Sequence, residues 1–207
     1  MKNYIIEDTW ETIRENLKKG NNVYPIGALK KAKVLGYECY WRLVDLQEGR
    51  YITKEGEPTH AVFELVELLP ISLEWDNSDK TTKYCNSSLK RNLDILATTI
   101  LNKRSYYKPS IVKSKDLSQS DALTGDILFP PSRDELFGEG KDRFDYYYCI
   151  NDMSKTSLSK NKIDWYWLRS PFGRLPEFGI ACNVHGDGSL IRGFVGCSSR
   201  VVLCFAI

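Results

Sequence analysis

The chain has 207 residues, of which 42% are hydrophobic, 27% charged and 12% aromatic, a composition that excludes disorder and suffices to bury one sizeable core. A formal net charge of +2, with Lys, Arg, Asp and Glu intermixed, excludes the basic stripe that a phosphate backbone requires, so nucleic acid is not an expected partner. No stretch approaches the roughly eighteen apolar residues of a membrane span, and residues 1–8 lack the apolar run of a signal peptide, so a soluble product of cytoplasmic synthesis without membrane insertion is expected.

Residues 8–20 read DTWETIRENLKKG. Asp8 and Glu11 have the spacing of a capping box, and Trp10, Ile13 and Leu17 form one apolar stripe. Lys18 and Lys19 suit the negative end of the helix dipole and Gly20 a left-handed exit. The pattern predicts an amphipathic helix within an N-terminal segment of residues 1–23. Between Tyr24 and Leu69 the apolar period shortens toward two, which predicts strands over residues 40–44 and 60–65. Leu89, Leu93, Leu96 and Ile100 then recur at helical spacing after a cap at Asn86 or Ser87, so a second helix is expected, with one face on a sheet.

Residues 103–126 and 138–162 carry little periodicity and read as irregular loops. Between them, Ser132-Arg133-Asp134-Glu135 forms a capping box leading into Leu136 and Phe137, which predicts a helix of one or two turns. Residues 164–207 are expected to form a small antiparallel sheet from strands 165–168, 179–184, 189–195 and 201–207. His185-Gly186-Asp187-Gly188 supplies its tight hairpin link. Alternation sets Trp165 and Trp167 on one strand face and Tyr166 with Leu168 on the other, and burial of the Trp rings is expected.

The six cysteines, Cys39, Cys85, Cys149, Cys182, Cys197 and Cys204, include no CxxC pair, and none has a histidine at ligand spacing. They are expected as reduced thiols, with no metal and no cofactor. His60 lies in an apolar run, where a structural histidine is expected, and His185 lies on a turn. GxSxG, GxxxxGK[ST] and Rossmann glycine patterns are all missing from the sequence, so enzymatic activity is not expected.

Trp167-Leu168-Arg169-Ser170-Pro171, followed by Ala181, Val184, Asp187-Gly188 and a closing hydrophobic strand, resembles the WLRSP-type domain of bacterial and phage proteins. Residues 59–65, the block 128–137 and the opening helix followed by Tyr24-Pro25-Ile26-Gly27 extend the resemblance over most of the chain. Where that family usually ends close to GVRPA, this chain has Arg200-Val201-Val202-Leu203-Cys204. Such domains are similar to the variable proteins of diversity-generating retroelements, in which an error-prone reverse transcriptase rewrites adenines in a C-terminal segment. The resemblance implies one α+β domain over residues 1–207 with a C-type-lectin-like fold: small antiparallel sheets, two main helices and long loops. It also implies a binding protein whose specificity is diversified.

Adenine replacement in AAC-type codons reaches the residues encoded by NNC, a set without Glu, Lys, Gln, Met or Trp. These types make up about one residue in five of the chain, yet residues 178–207 contain none, where roughly six follow from composition. Residues 172–200 are therefore the candidate variable region. Trp165, Trp167, Leu168, Ala181, Val184, Leu190, Val195 and residues 201–207 are expected to pack inside as framework. Phe172, Arg174, Leu175, Phe178, Ile180, Cys182, His185, Ile191, Arg192, Phe194 and Arg200 are the candidate contacts for a protein or cell-surface ligand. One alternative is a fixed phage structural or decoration protein that uses this surface against a virion subunit or a second copy of the chain. A further alternative is a formylglycine-generating-type enzyme, for which Cys182 and Cys197 would be the reactive pair.

Overall fold

The computed structural model describes residues 4–21, 23–53, 55–76, 83–101, 112–113, 125–149, 164–172 and 179–207. They form helices α1 (Trp10–Lys18), α2 (Ser88–Leu101), α3 (Arg133–Phe137) and α4 (Asp145–Cys149). The strands are β1 (Leu29–Val34), β2 (Tyr37–Asp45), β3 (Val62–Leu65), β4 (Leu73–Glu74), β5 (Val112–Lys113) and β6 (Gly125–Asp126), then β7 (Tyr166–Pro171), β8 (Ile180–Val184), β9 (Leu190–Phe194), β10 (Ser198–Val201) and β11 (Cys204–Ala206). The class is α+β.

α1 buries Trp10, Ile13 and Leu17, the stripe its sequence predicts. Its cap differs from expectation: the Thr9 hydroxyl accepts from the Thr12 N–H. Asp8 is occupied otherwise, accepting the Tyr24 hydroxyl at 2.7 Å and so pinning the chain that leaves the helix. Gly20 makes the exit at φ 71°, in the region that suits glycine. In α2 the Ser87 hydroxyl accepts from Lys90 N at 3.0 Å, and Leu89, Leu93 and Ala97 are fully buried. The Ser132–Glu135 capping box at the start of α3 is complete in both directions. The expected loop at 138–162 contains α4, and its residues 150–162 lie outside the described set, as do most of 103–126.

β5 and β6 pair antiparallel as a two-stranded sheet, and two larger sheets take the other nine strands. One has the order β1-β2-β3-β11, all antiparallel, and the other β4-β10-β7-β8-β9. The second is mixed, because β10 runs parallel to β7, which corrects the expected all-antiparallel sheet. The expected strand 201–207 is two strands: β10 ends in the second sheet, Val202 and Leu203 cross over, and β11 closes the first sheet against β3. A continuous apolar run looks the same whether one sheet or two receive it.

Alternation on the central strands sorts the core into two parts. Phe63, Leu65 and Phe205 face the cluster that includes Trp10 and Trp41, whereas Val62, Cys204 and Ala206 face one that includes Phe129, Tyr147 and Tyr166. With both faces covered, β3 and β11 read as unbroken apolar runs apart from Glu64. Trp10 packs edge-on against Phe63 at 5.0 Å and Phe205 at 5.2 Å between centroids.

Candidate functional site

The sequence blocks 128–137 and 167–171 meet in the interior. Arg169, from Trp167-Leu168-Arg169-Ser170-Pro171, is only 2% exposed and forms an ion pair with Glu135 of α3. Its guanidinium also donates to Pro130 O at 3.0 Å and to the Tyr51 hydroxyl at 3.1 Å, and Tyr51 donates to Glu135. Glu135 accepts Ser132 N through its second oxygen at 2.7 Å, Arg169 N donates to Pro131 O at 3.1 Å, and Arg133 N donates to Ser170 Oγ at 3.0 Å. Burial pushes the Tyr51 hydroxyl well above its usual pKa, and Glu135 adds to this against Arg169. A buried ion pair held by this many further hydrogen bonds fixes one geometry. These motif residues are therefore scaffold, and they orient β7 within the second sheet.

Trp167 on β7 is fully buried, its indole N–H donating to Leu73 O at 2.8 Å and its ring packing against Trp75 at 5.7 Å. A Cβ on Gly193 of β9 would lie 2.5 Å from that ring, so only glycine fits there without a shift. Trp165 departs from expectation. It is 48% exposed, because it precedes the strand and lies at the sheet's end beside His185, with ring centroids 5.6 Å apart. Leu190, also expected inside, is half-buried against the second cluster.

The candidate contact residues fall into two groups. Register pairs Ile180 with Phe194 and Cys182 with Arg192, and β7 ends at Pro171 beside Ala181. Phe172, Ile180, Arg192 and Phe194 thus lie toward one end of β8 and β9. Phe194 is 67% exposed, and the Arg192 guanidinium stands over the Phe172 ring at 5.7 Å. Cys182 shares this strand face but is a core residue at 1% exposure, its Sγ donating to Pro171 O, which removes it from the contact set. Ile191 is half-buried on the opposite face, paired with Asn183. His185 and Arg200 lie at the other end of the sheet, a strand length of about 13 Å away. Arg174, Leu175 and Phe178 lie outside the described residues.

At that second end is an open pocket of about 250 Å³, lined by Ser72, Asp164, Trp165, Ser198, Ser199 and Arg200. Arg200 Nε is 3.5 Å from Asp164 Oδ2, and Arg200 Nη1 donates to Leu69 O at 3.3 Å. Asn183 holds Ser199 Oγ at 3.1 Å. Next to Trp165, the His185 ring is 3.2 Å from Asp187. Hydrogen bonds from Ser189 pull the Asp187 carboxyl down to about 2. Of the lining residues, the candidate list held Arg200 alone. Ser72 arrives from β4's flank, nearly a hundred positions before Asp164, and no local pattern joins them.

Among the described residues no His, Cys, Asp or Glu group has the arrangement to hold a metal ion, and none of the six cysteines is in a disulfide. No helix among them is long and apolar enough to cross a membrane. Compared with protein-family models, with curated proteins and with solved structures, the chain matches none.

Proposed function

We propose that this chain is a non-catalytic recognition protein of C-type-lectin-like architecture that binds a protein or cell-surface ligand, and that residues 172–200 are the diversified set of a retroelement. Residue choice at the open positions supports the proposal most directly. Ile180, His185, Ser189, Ile191, Arg192, Phe194, Cys197 and Ser198 are all at least partly open to solvent, yet none is Lys, Glu, Gln, Met or Trp. In β1, an edge strand of the other sheet, three of the six residues are Lys. Burial accounts for the missing types at residues 201–207, which are all buried. It does not account for them on a solvent-facing strand. Phe194, and Arg192 stacked on Phe172, are the residue types that anchor protein interfaces.

The flanking DNA and the gene across a population test this. The expected finding is a near-copy of the segment encoding residues 172–200, differing at adenines, beside a reverse transcriptase gene. Substitutions should crowd on Ile180, His185, Arg192 and Phe194 and spare Ala181 and Gly193, which the core excludes from variation. Substitutions spread evenly over residues 1–207 would overturn the proposal. A segment that is constant in every copy would also overturn it, in favour of a fixed virion subunit.

A further inference from the structure

We infer that the free edge of β9 binds an extended, acidic segment of a protein ligand as an added antiparallel strand. The inference rests on the reading of β9 as a recognition surface, and not on diversification of residues 172–200.

Among the described residues, β9 is the one sheet edge without a guard. β1 carries three Lys in six residues and is bridged by Ile5, β11 is bridged by Phe129, and β4, β5 and β6 have two residues each. β9 runs five residues in unbroken register with β8 and, apart from Arg192, contains no charge and no Pro. Charges, Pro, bulges and short length are the devices that keep an edge from pairing.

The hydrogen-bond phase identifies the open backbone groups. His185 N donates to Ser189 O and Val195 N to Gly179 O, at 2.9 Å each, so bonded pairs alternate with unbonded ones along the strands between them. Ile191 and Gly193 bond inward to Asn183 and Ala181, while Leu190, Arg192 and Phe194 turn their backbone groups outward. Phe194 O is taken by Cys197 N at 2.9 Å. The remaining N–H and C=O of Leu190 and Arg192, with the Phe194 N–H, form a row that an extended backbone would satisfy. Such bonds supply affinity whatever the side chains on the edge.

Arg192 sets the sign of the occupant. Among the described residues it makes no ion pair: its guanidinium stands over Phe172, and its partner on β8 is Cys182. A second copy of β9, paired over all five residues about a two-fold axis, would set Arg192 against Arg192, and like charges directly opposite are destabilising. A Glu or Asp arriving there is the favourable pairing. Exposed Phe194, two residues along on the same face, is open to the neighbouring side chain.

The probe is the peptide acetyl-TTVEVTT-amide, added to the full-length chain at up to about 2 mM, a range that detects binding of modest affinity. Amide hydrogen exchange read by NMR is the measurement. In the free protein the Arg192 amide should exchange at least about tenfold faster than those of Ile191 and Gly193, and the peptide should slow it at least about tenfold. The Lys peptide acetyl-TTVKVTT-amide, and the Glu peptide methylated on its Glu nitrogen, should each bind at least about fivefold more weakly. Arg192→Glu should reverse the preference between the Glu and Lys peptides. Unchanged Arg192 exchange at the highest peptide concentration overturns the inference. So does equal binding of the methylated peptide, because the contact would then run through side chains. Slowing that rises with protein concentration without peptide assigns the edge to a second copy and also overturns it. A constant segment 172–200 would remove diversification and leave the peptide result standing, so the two failures are distinguishable.

Discussion

A methyl group at position 193 would press on the Trp167 ring from 2.5 Å, and Trp167 has no room to retreat because its indole N–H is bonded to Leu73 O and its ring lies against Trp75. Gly193→Ala should therefore cost about 1 to 3 kcal/mol, the range for overpacking a filled interior, read as a lower urea midpoint with an unchanged slope. The Arg169–Glu135 pair permits a sharper experiment. Arg169→Met leaves the Glu135 carboxylate buried without its cation, which should cost about 3 to 5 kcal/mol. Adding Glu135→Gln removes the charge and keeps an acceptor for Ser132 N. The double variant should recover a substantial part of the loss in the same titration. If it is no more stable than Arg169→Met, packing of the long arginine stem is the dominant contribution.

Among the elements, β9 and β11 are opposites. β9 lies at the sheet edge in the strand order and carries exposed Arg192 and Phe194, whereas β11 is buried throughout. Arg192→Ser and Phe194→Ser should each shift stability by no more than about 0.5 kcal/mol, while Leu203→Ala, at the crossover into β11, should cost about 2 to 5 kcal/mol. Chemical denaturation of the three variants beside the parent checks both. Early unfolding of the serine variants would make the β9 face core and not surface. Helices α1, α2 and α3 were legible in the sequence because a 3.6-residue stripe and a serine cap are local signals, as at Trp10, Ile13 and Leu17 or at Ser87 and Ser132, whereas the short α4 carries neither signal and reads as a loop. β2, β3 and the 185–188 hairpin were legible from alternation and glycine. What the sequence concealed depends on distance: the partition of residues 201–207 between two sheets, the burial of Cys182, the exposure of Trp165 and the arrival of Ser72 beside Asp164. Each is decided by which distant segment covers a residue, and periodicity carries no record of that.

Across the whole molecule, Asp45 clamps the end of β2 to the approach to α4. Its carboxylate accepts from Arg50 Nε at 2.5 Å and from Asp145 N at 3.2 Å, while Arg50 also donates to the carbonyls of Lys141, Asp142 and Arg143. Burial raises the Asp45 carboxyl to about 6, against the downward pull of Arg50. An acid raised in the folded state contributes stability that is fully present below its unfolded value near 4 and is lost as pH rises through about 6. The stability difference between the parent and Asp45→Asn should therefore shrink by up to about 3 kcal/mol between pH 4 and pH 7. Urea midpoints for both proteins across that interval measure it. A constant difference would mean that Arg50 fully offsets the burial.

The crossover at Val202 and Leu203 also bears on the order in which the molecule assembles. Cys204, Phe205 and Ala206 pair with Glu64, Phe63 and Val62, so the first sheet lacks its final strand until a segment some 140 positions further along has been made. During synthesis β3 must wait with one side unpaired, and Phe63 without the Phe205 ring that stacks on it. Closing so long a loop is entropically slow. The nascent chain is thus exposed to association through that strand edge until residues 204–206 have cleared the ribosome.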